Sequence, residues 1–194
     1  GLAGLASAVA AHNEVAIPYI NDLGSDTQRQ RWLPGMVSGD IVGAIAMTEP
    51  GAGSDLKAIR GRAEKIPGGW RLNGQKTFIT NGIHADLIIV AMKSDPDAGA
   101  KGISLFLVAA DTPGFSRGRK LEKLGQNIAD TAELFFEDVD VADDALLGGE
   151  GQGFACLMKE LPRERLSFAI AALGACDAAL ADTVAYVQER KAFG

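Results

Sequence analysis

The chain has 194 residues, of which 47% are hydrophobic, and a net charge of −6 at pH 7 with a pI near 4.9. This length is enough to bury a sizeable core in one domain or in two small ones. The acidic balance argues against nucleic acid as a partner, because binding it needs a basic face.

Residues 1–42 follow a helical pattern. Alanine and leucine dominate the start, and 26–33 is predicted to be a short helix. Pro34-Gly35 and Ser38-Gly39-Asp40 are expected to break it up. The chain opens without Met in mid-pattern, so we expect 1–42 to be the end of an N-terminal helical domain and the chain to be an internal piece of a longer protein.

Residues 43–149 change to the period of two that is typical of strands. Asn73-Gly74 favours a type I′ hairpin turn, and 117–123 is a basic stretch that we interpret as solvated surface. Short strands with turns between them and no helices predict an antiparallel barrel or sandwich. The predicted strands are 43–48, 59–66, 70–72, 75–80, 87–92, 103–109 and 132–136.

Residues 150–194 return to helical spacing and are expected to start a C-terminal helical domain. Pro162 lacks an N–H and should therefore start or kink a helix. The fold class is α+β, with a middle β-domain flanked by helical segments. Apolar runs such as 87–92 are too short to cross a bilayer, so no membrane span is predicted.

The cysteines and histidines give no sign of a metal site. Cys156 and Cys176 lack CxxC spacing and a histidine cluster, so we expect them to be reduced and buried in a cytosol-like compartment. His12 and His84 are far apart in sequence, and for each a structural or surface role is favoured over catalysis.

Residues 45–55 form the most informative pattern in the chain, an apolar run that enters a Pro/Gly turn and predicts a buried strand followed by a tight loop. Glycines let the backbone approach a flat or charged ligand, and hydroxyls supply directional hydrogen bonds. The string is Ile45-Ala46-Met47-Thr48-Glu49-Pro50-Gly51-Ala52-Gly53-Ser54-Asp55. It resembles the first signature of the acyl-CoA dehydrogenase family, in which the segment wraps the flavin of FAD and its serine touches the acyl-CoA.

Three further segments resemble the same family, in the family's order. Residues 131–139 look like the strand that leaves its β-domain, and 159–166 look like its substrate helix in the long-chain version. Residues 189–194 resemble the segment with which one subunit reaches a neighbour's FAD. The resemblance implies an acyl-CoA dehydrogenase-like fold over essentially the whole chain.

The resemblance also implies the flavin contacts. Besides 45–54, the family uses a three-residue motif that is Phe78-Ile79-Thr80 here, where the first position is more often Trp. Thr80 would bond near the hydride-accepting nitrogen, and Thr48 would bond the pyrimidine end. Arg190 matches the arginine that binds the FAD pyrophosphate across a subunit interface, and a bidentate donor suits that role.

Desaturation of an acyl-CoA needs a base for the α-proton, a flavin for the β-hydride and hydrogen bonds to the thioester oxygen. The resemblance assigns the base to Glu164, because long-chain and isovaleryl-type members carry a Glu before an Arg on the substrate helix. Pro162, Arg163, Glu164 and Arg165, together with Ser54, match substrate-binding positions. Charge patterning alone would instead favour a solvated Arg-Glu-Arg helix face.

The implied function is FAD-dependent α,β-desaturation of a fatty acyl-CoA in β-oxidation. The implied partners are the acyl-CoA substrate, an electron-transfer flavoprotein and further copies of the chain in a homotetramer. The implied compartment is a bacterial cytoplasm or a mitochondrial matrix. An acyl-CoA oxidase that passes electrons to oxygen is one alternative, and a non-catalytic assembly module of the same fold is another.

Overall fold

The computed structural model describes residues 2–193 and divides into two compact units, with the boundary between Lys159 and Glu160. The first unit contains the helices before residue 40 and the whole β-sheet. The second unit consists of most of one long helix and the few residues that follow it.

The chain begins with α1 (Leu2–Ala10), a π-helix (Ala11–Ala16), α2 (Ile17–Leu23) and α3 (Asp26–Ser38). Ser25 and Gln28 cap α3 reciprocally, because each side chain accepts the other residue's backbone N–H. The predicted break at Pro34-Gly35 is wrong. Pro34 lies inside α3, which ends at Ser38, and Gly39 caps it in the left-handed region (φ +86°).

An eight-stranded sheet follows, and its path runs β6-β7-β3-β2-β4-β5-β8 with β1 paired to β4. The predicted α+β class is confirmed. The pairing is largely antiparallel, but β1 runs parallel to β4 along its length, so the sheet is mixed. The strands are β1 (Gly43–Ala46), β2 (Arg62–Ile66), β3 (Gly69–Thr80), β4 (Leu87–Lys93), β5 (Ile103–Ala109), β6 (Phe115–Lys120), β7 (Thr131–Ala142) and β8 (Leu146–Leu147).

Strand β4 lies at the centre of the core, because its side chains are buried on both faces of the sheet. Leu87, Ile89 and Ala91 pack in a cluster with residues of the N-terminal helices, such as Tyr19. The alternate residues of β4 pack in a second cluster with apolar side chains of β3, β5 and β7. This double burial fixes β4, and β1 beside it, firmly within the unit.

The predicted hairpin at Asn73-Gly74 is wrong. Strand β3 runs through both residues, and its register against β7 shifts between Leu72 and Gly74. Asn73 instead bonds across the strands to Asp138, whose N–H and carboxylate both engage the amide. The turn lies at Pro67-Gly68, between β2 and β3, where Gly68 takes φ +78°.

The basic stretch at 117–123 is more structured than predicted. Most of its side chains are exposed, but its first four residues belong to β6, which pairs with β7. Arg117 donates to the carbonyls of Gly82 and Ala85 at 3.1 and 2.6 Å. Arg117 is therefore a cross-link between β6 and the turn after β3.

The final helix, α4, spans Gly153–Glu189 with Pro162 inside it, so Pro162 does not start a helix as one predicted alternative required. Cys156 is buried as predicted, whereas Cys176 is exposed. By length and composition alone, α4 could cross a membrane, with a mean hydropathy of 1.5 in its most apolar window. The large apolar residues from Leu166 to Val187 are exposed on it.

Candidate functional site

The end of β1 sets the start of the predicted flavin loop. Ile45 and Ala46 pair with Ile89 and Val90 of β4, so the chain leaves the sheet at a rigid point. The backbones of Glu49 and Ala52 then bond reciprocally at 2.9 and 3.1 Å and close a tight turn around Pro50-Gly51.

The outer side of this turn faces open space. Pro50, Gly51, Gly53 and Ser54 are exposed, whereas Ala52 is buried beneath them and Met47 and Thr48 are half-buried. A Cβ placed on Gly51 would meet nothing within 4 Å. The loop therefore exposes bare backbone and the Ser54 hydroxyl, and its role in ligand binding stays a prediction.

Glu49 points the other way, into the protein. Its carboxylate pairs with the Lys76 ammonium at 2.7 Å, and it accepts the N–H groups of Arg60 and Gly61 at 2.6 and 3.0 Å. Burial lowers the pKa of Lys76 below its ordinary value, while Glu49 opposes the shift. The side chain of Glu49 is thus fully engaged within the first unit, although the sequence resemblance includes it in the cofactor segment.

A direct backbone bond joins this loop to the predicted three-residue motif. The N–H of Thr77 donates to the carbonyl of Thr48 at 2.9 Å. Between Lys76 and Ile79 the register of β3 against β7 shifts, and Phe78 takes the left-handed conformation with φ +58°. That conformation is uncommon for a bulky residue and is concentrated at functional sites.

The irregularity turns Phe78 out of the sheet. Its side chain is 68% exposed, whereas Ile79 beside it is 3% exposed and belongs to the core. Thr80 is half-buried at the end of β3. The structure therefore brings together the two segments predicted to bind the flavin and presents an aromatic ring and hydroxyl groups near the loop.

Three residues behind this site carry no obvious sequence signal. The amide of Asn81 donates to the carbonyls of Ala8 and Gly43 at 3.0 and 3.3 Å. Asp130 accepts the N–H groups of Ile83 and His84. His12 Nδ1 accepts the N–H of Gly43 at 2.9 Å, and Nε2 of the same ring lies 2.9 Å from the Met36 carbonyl. Asn81 and His12 thus connect β1 to the first helices, and Asp130 holds the turn that follows β3.

The predicted base and substrate residues lie in the second unit. On α4, Glu164 is 7% exposed, whereas Pro162, Arg163 and Arg165 are exposed. The Arg163 guanidinium forms an ion pair with the buried carboxylate of Glu160, one turn earlier. Arg190 is exposed directly after α4, and its N–H bonds to the Tyr186 carbonyl.

The chain matches three domain models of one family. They are the N-terminal domain of acyl-CoA dehydrogenase over residues 1–40, its middle domain over 44–139 and its C-terminal domain over 151–194. Mitochondrial long-chain specific acyl-CoA dehydrogenase of Mus musculus is 50% identical over 185 residues. That match includes 94% of this chain and 43% of the mouse protein, so the chain spans about half the length of the curated relatives it matches.

Solved structures agree with this match. An acyl-CoA dehydrogenase from Geobacillus kaustophilus is 54% identical with a TM-score of 0.95, over 97% of this chain and 50% of that one. A structure described as an FAD complex of PigA is 32% identical with a TM-score of 0.94, over 99% of this chain and 50% of that one. By sequence and by fold, the chain belongs to the acyl-CoA dehydrogenase family.

Proposed function

We propose that the full-length protein is an FAD-dependent acyl-CoA dehydrogenase that introduces an α,β double bond into a fatty acyl-CoA. The observation that carries the proposal is the bond between Thr77 N–H and the Thr48 carbonyl. It holds the glycine-containing loop against the strand that presents Phe78 and Thr80, so two segments can contact one flat ligand.

The residues present fit FAD. The loop from Thr48 to Ser54 exposes backbone beside hydroxyl groups, and Phe78 offers an uncovered aromatic ring at the same place. Within this site, Ile45, Ala46 and Met47 would support the loop from below. When bound, FAD would supply the acceptor for the β-hydride, and the protein would supply position and electrostatics.

Glu164 is proposed as the base, and its carboxylate oxygen would take the α-proton of the thioester. Burial suits this role because a poorly solvated carboxylate is a stronger base. Ser54, Pro162, Arg163 and Arg165 are proposed as substrate contacts. For Arg163, the ion pair with Glu160 would set the direction of the guanidinium.

Two partners are proposed from the resemblance to the family. We propose a homotetramer in which Arg190 binds the FAD pyrophosphate of a neighbouring subunit, and an electron-transfer flavoprotein as the electron acceptor. We also propose that the exposed apolar residues of α4 pack against further helices of the C-terminal domain and not against a membrane, because residues 151–194 match that domain of the family.

The test is a spectrum of the purified full-length protein. It should carry a flavin absorption band that a fatty acyl-CoA bleaches without oxygen, and acyl-CoAs of graded chain length and branching would then define the substrate. Failure of the folded protein to take up FAD on reconstitution would defeat the proposal. Rapid hydrogen peroxide formation in air without an added acceptor would instead favour the oxidase alternative.

A further inference from the structure

The buried ion pair between Glu49 and Lys76 has no direct part in the chemistry above. The Lys76 side chain is fully buried, and its Nζ contacts both the Glu49 carboxylate at 2.7 Å and the Met47 carbonyl at 3.2 Å. Lys76 therefore holds the chain on both sides of Thr48. It also immediately precedes Thr77, whose N–H bonds to the Thr48 carbonyl.

The other side of the pair is equally fixed. Arg60 and Gly61 donate their N–H groups to the Glu49 carboxylate, so its oxygens meet three donors. A Cβ on Gly61 would lie 2.9 Å from Glu49 Oε1 and 2.6 Å from the Met92 sulfur. Gly61 therefore leaves space for the carboxylate that a larger residue would crowd.

Stability alone does not explain charges at this place. The cost of removing two charges from water offsets much of the Coulomb attraction in a buried ion pair. Apolar side chains of similar size often stabilise a protein equally well at such a place. What the charged pair adds is a fixed geometry, because its hydrogen bonds hold the flavin loop, the backbone at 60–61 and β3 in defined positions relative to one another.

We propose that Glu49 and Lys76 are positioning residues of the flavin site. Their ion pair sets the loop from Thr48 to Ser54 against the Phe78–Thr80 motif at the spacing that one flavin requires. The inference rests on the proposed function. In it, the Glu49 carboxylate does not contact FAD but acts on FAD binding by holding the loop in place.

The test uses the full-length protein with the double variant Glu49→Gln/Lys76→Met, which removes both charges together. We expect the FAD dissociation constant to rise at least tenfold and the visible band of bound flavin to shift. At saturating FAD, kcat should fall by a larger factor than the KM for acyl-CoA rises, because Ser54 is the one proposed substrate contact that lies on this loop. If the pair had only a structural role, the flavin band and the effects on kcat relative to KM would stay as in the wild type.

The matched control is Arg71→Met/Asp140→Asn. It removes an ion pair that also joins β3 to a partner strand, but an exposed one. FAD affinity and the flavin band should stay at wild-type values. If the buried double variant does not fold, Glu49→Asp serves instead, because it keeps the charge and withdraws the carboxylate by one methylene; it should weaken FAD binding by at least about threefold.

Folded buried-pair variants that bind FAD within twofold of wild type and show an unchanged flavin band would overturn the inference. The same holds if the exposed control loses FAD as strongly as the buried pair. A wild-type protein that takes up no FAD would defeat the proposed function itself, so the two failures are distinguishable.

Discussion

Glu49 and Glu164 are both buried carboxylates, with 8% and 7% exposure, but their surroundings differ in kind. Glu49 accepts bonds from a buried ammonium and from two backbone N–H groups, a pattern that holds a fold in place. Glu164 stands on a helix between two exposed arginines, one of which is bound to Glu160. At the scale of the residue, these contacts of Glu49 suit a group that positions the flavin loop, whereas Glu164 is the carboxylate proposed to act on the substrate.

Glu164→Gln should abolish most of the turnover but preserve substrate binding. The amide keeps the size of the side chain and cannot accept the α-proton, so flavin reduction by acyl-CoA should slow by at least about a hundredfold. Stopped-flow absorbance measures this rate, and titration of the flavin band measures binding. Glu160→Gln is the matched control, which should change substrate affinity through Arg163 more than the reduction rate.

If Glu164→Gln reduces flavin near the wild-type rate, the base lies elsewhere in the protein. Loss of substrate binding together with turnover would instead give Glu164 a structural role in placing its neighbours on α4.

Lys76 should make stability depend on pH in the alkaline range. Burial lowers its pKa in the native state below the ordinary 10.5, so between the native value and 10.5 the unfolded chain binds more protons. The free energy of unfolding should therefore rise with pH across that interval. Urea unfolding of wild type and Lys76→Met at several pH values up to about 10 measures the difference; the rise should be smaller in the variant.

Arg71→Met provides the comparison, because Arg71 is a cation on the same strand that stays exposed and paired with Asp140. Its unfolding curves should keep the wild-type dependence on pH. An identical dependence in Lys76→Met would show that Lys76 does not titrate differently in the folded protein.

At the scale of the element, β3 is the strand that builds the site, and it does so through irregularity. Its register against β7 shifts at Gly74 and again before Ile79. The second shift lets Phe78 leave the sheet while Ile79 stays in the core. A regular strand would place alternate residues on opposite faces, so the irregular backbone is what makes Phe78 available to a ligand.

At position 78, a glycine variant should be more stable than an alanine variant, the reverse of the usual order. Phe78 takes φ +58°, where an L-residue costs about 1–2 kcal/mol and glycine does not. Phe78→Gly should therefore be more stable than Phe78→Ala by about 1 kcal/mol in urea unfolding of the apoprotein. Both should release FAD faster than wild type, whereas Phe78→Trp should retain it.

Alanine that proves more stable than glycine would mean that the backbone relaxes at this position. Unchanged FAD retention in both small variants would remove Phe78 from the flavin site.

The sequence predicts where the central strands lie better than it predicts the irregularities within strands. Alternating or continuous apolar runs located β4 and β5 closely, because burial dictates such residues. Asn73-Gly74 favours a turn by sequence, but the same residues also suit a bulge when a partner strand continues opposite them, as β7 does here. The inward direction of Glu49 depends on Lys76, twenty-seven positions away, and local patterns carry no information about such pairs.

At the scale of the whole molecule, the proposed activity is that of the full-length protein and not of this chain alone. The chain spans about half the length of its relatives, and the large apolar residues of α4 from Leu166 to Val187 are exposed. Arg190 follows that helix and is exposed in the described part of the chain. An exposed arginine at this place suits the proposed contact with the FAD pyrophosphate of a neighbouring subunit, because a guanidinium binds phosphate groups through two parallel hydrogen bonds.

Arg190→Ala should therefore weaken FAD retention and assembly together. Removal of the guanidinium leaves the pyrophosphate with fewer cationic donors, and FAD bridging two subunits then stabilises the oligomer less. We expect the FAD dissociation constant to rise about tenfold or more, and the tetramer to dissociate at a higher protein concentration in analytical ultracentrifugation. Lys191→Ala removes the adjacent charge and should leave both quantities unchanged. Tight FAD binding by a wild-type monomer at micromolar concentration would show that Arg190 serves no neighbouring subunit.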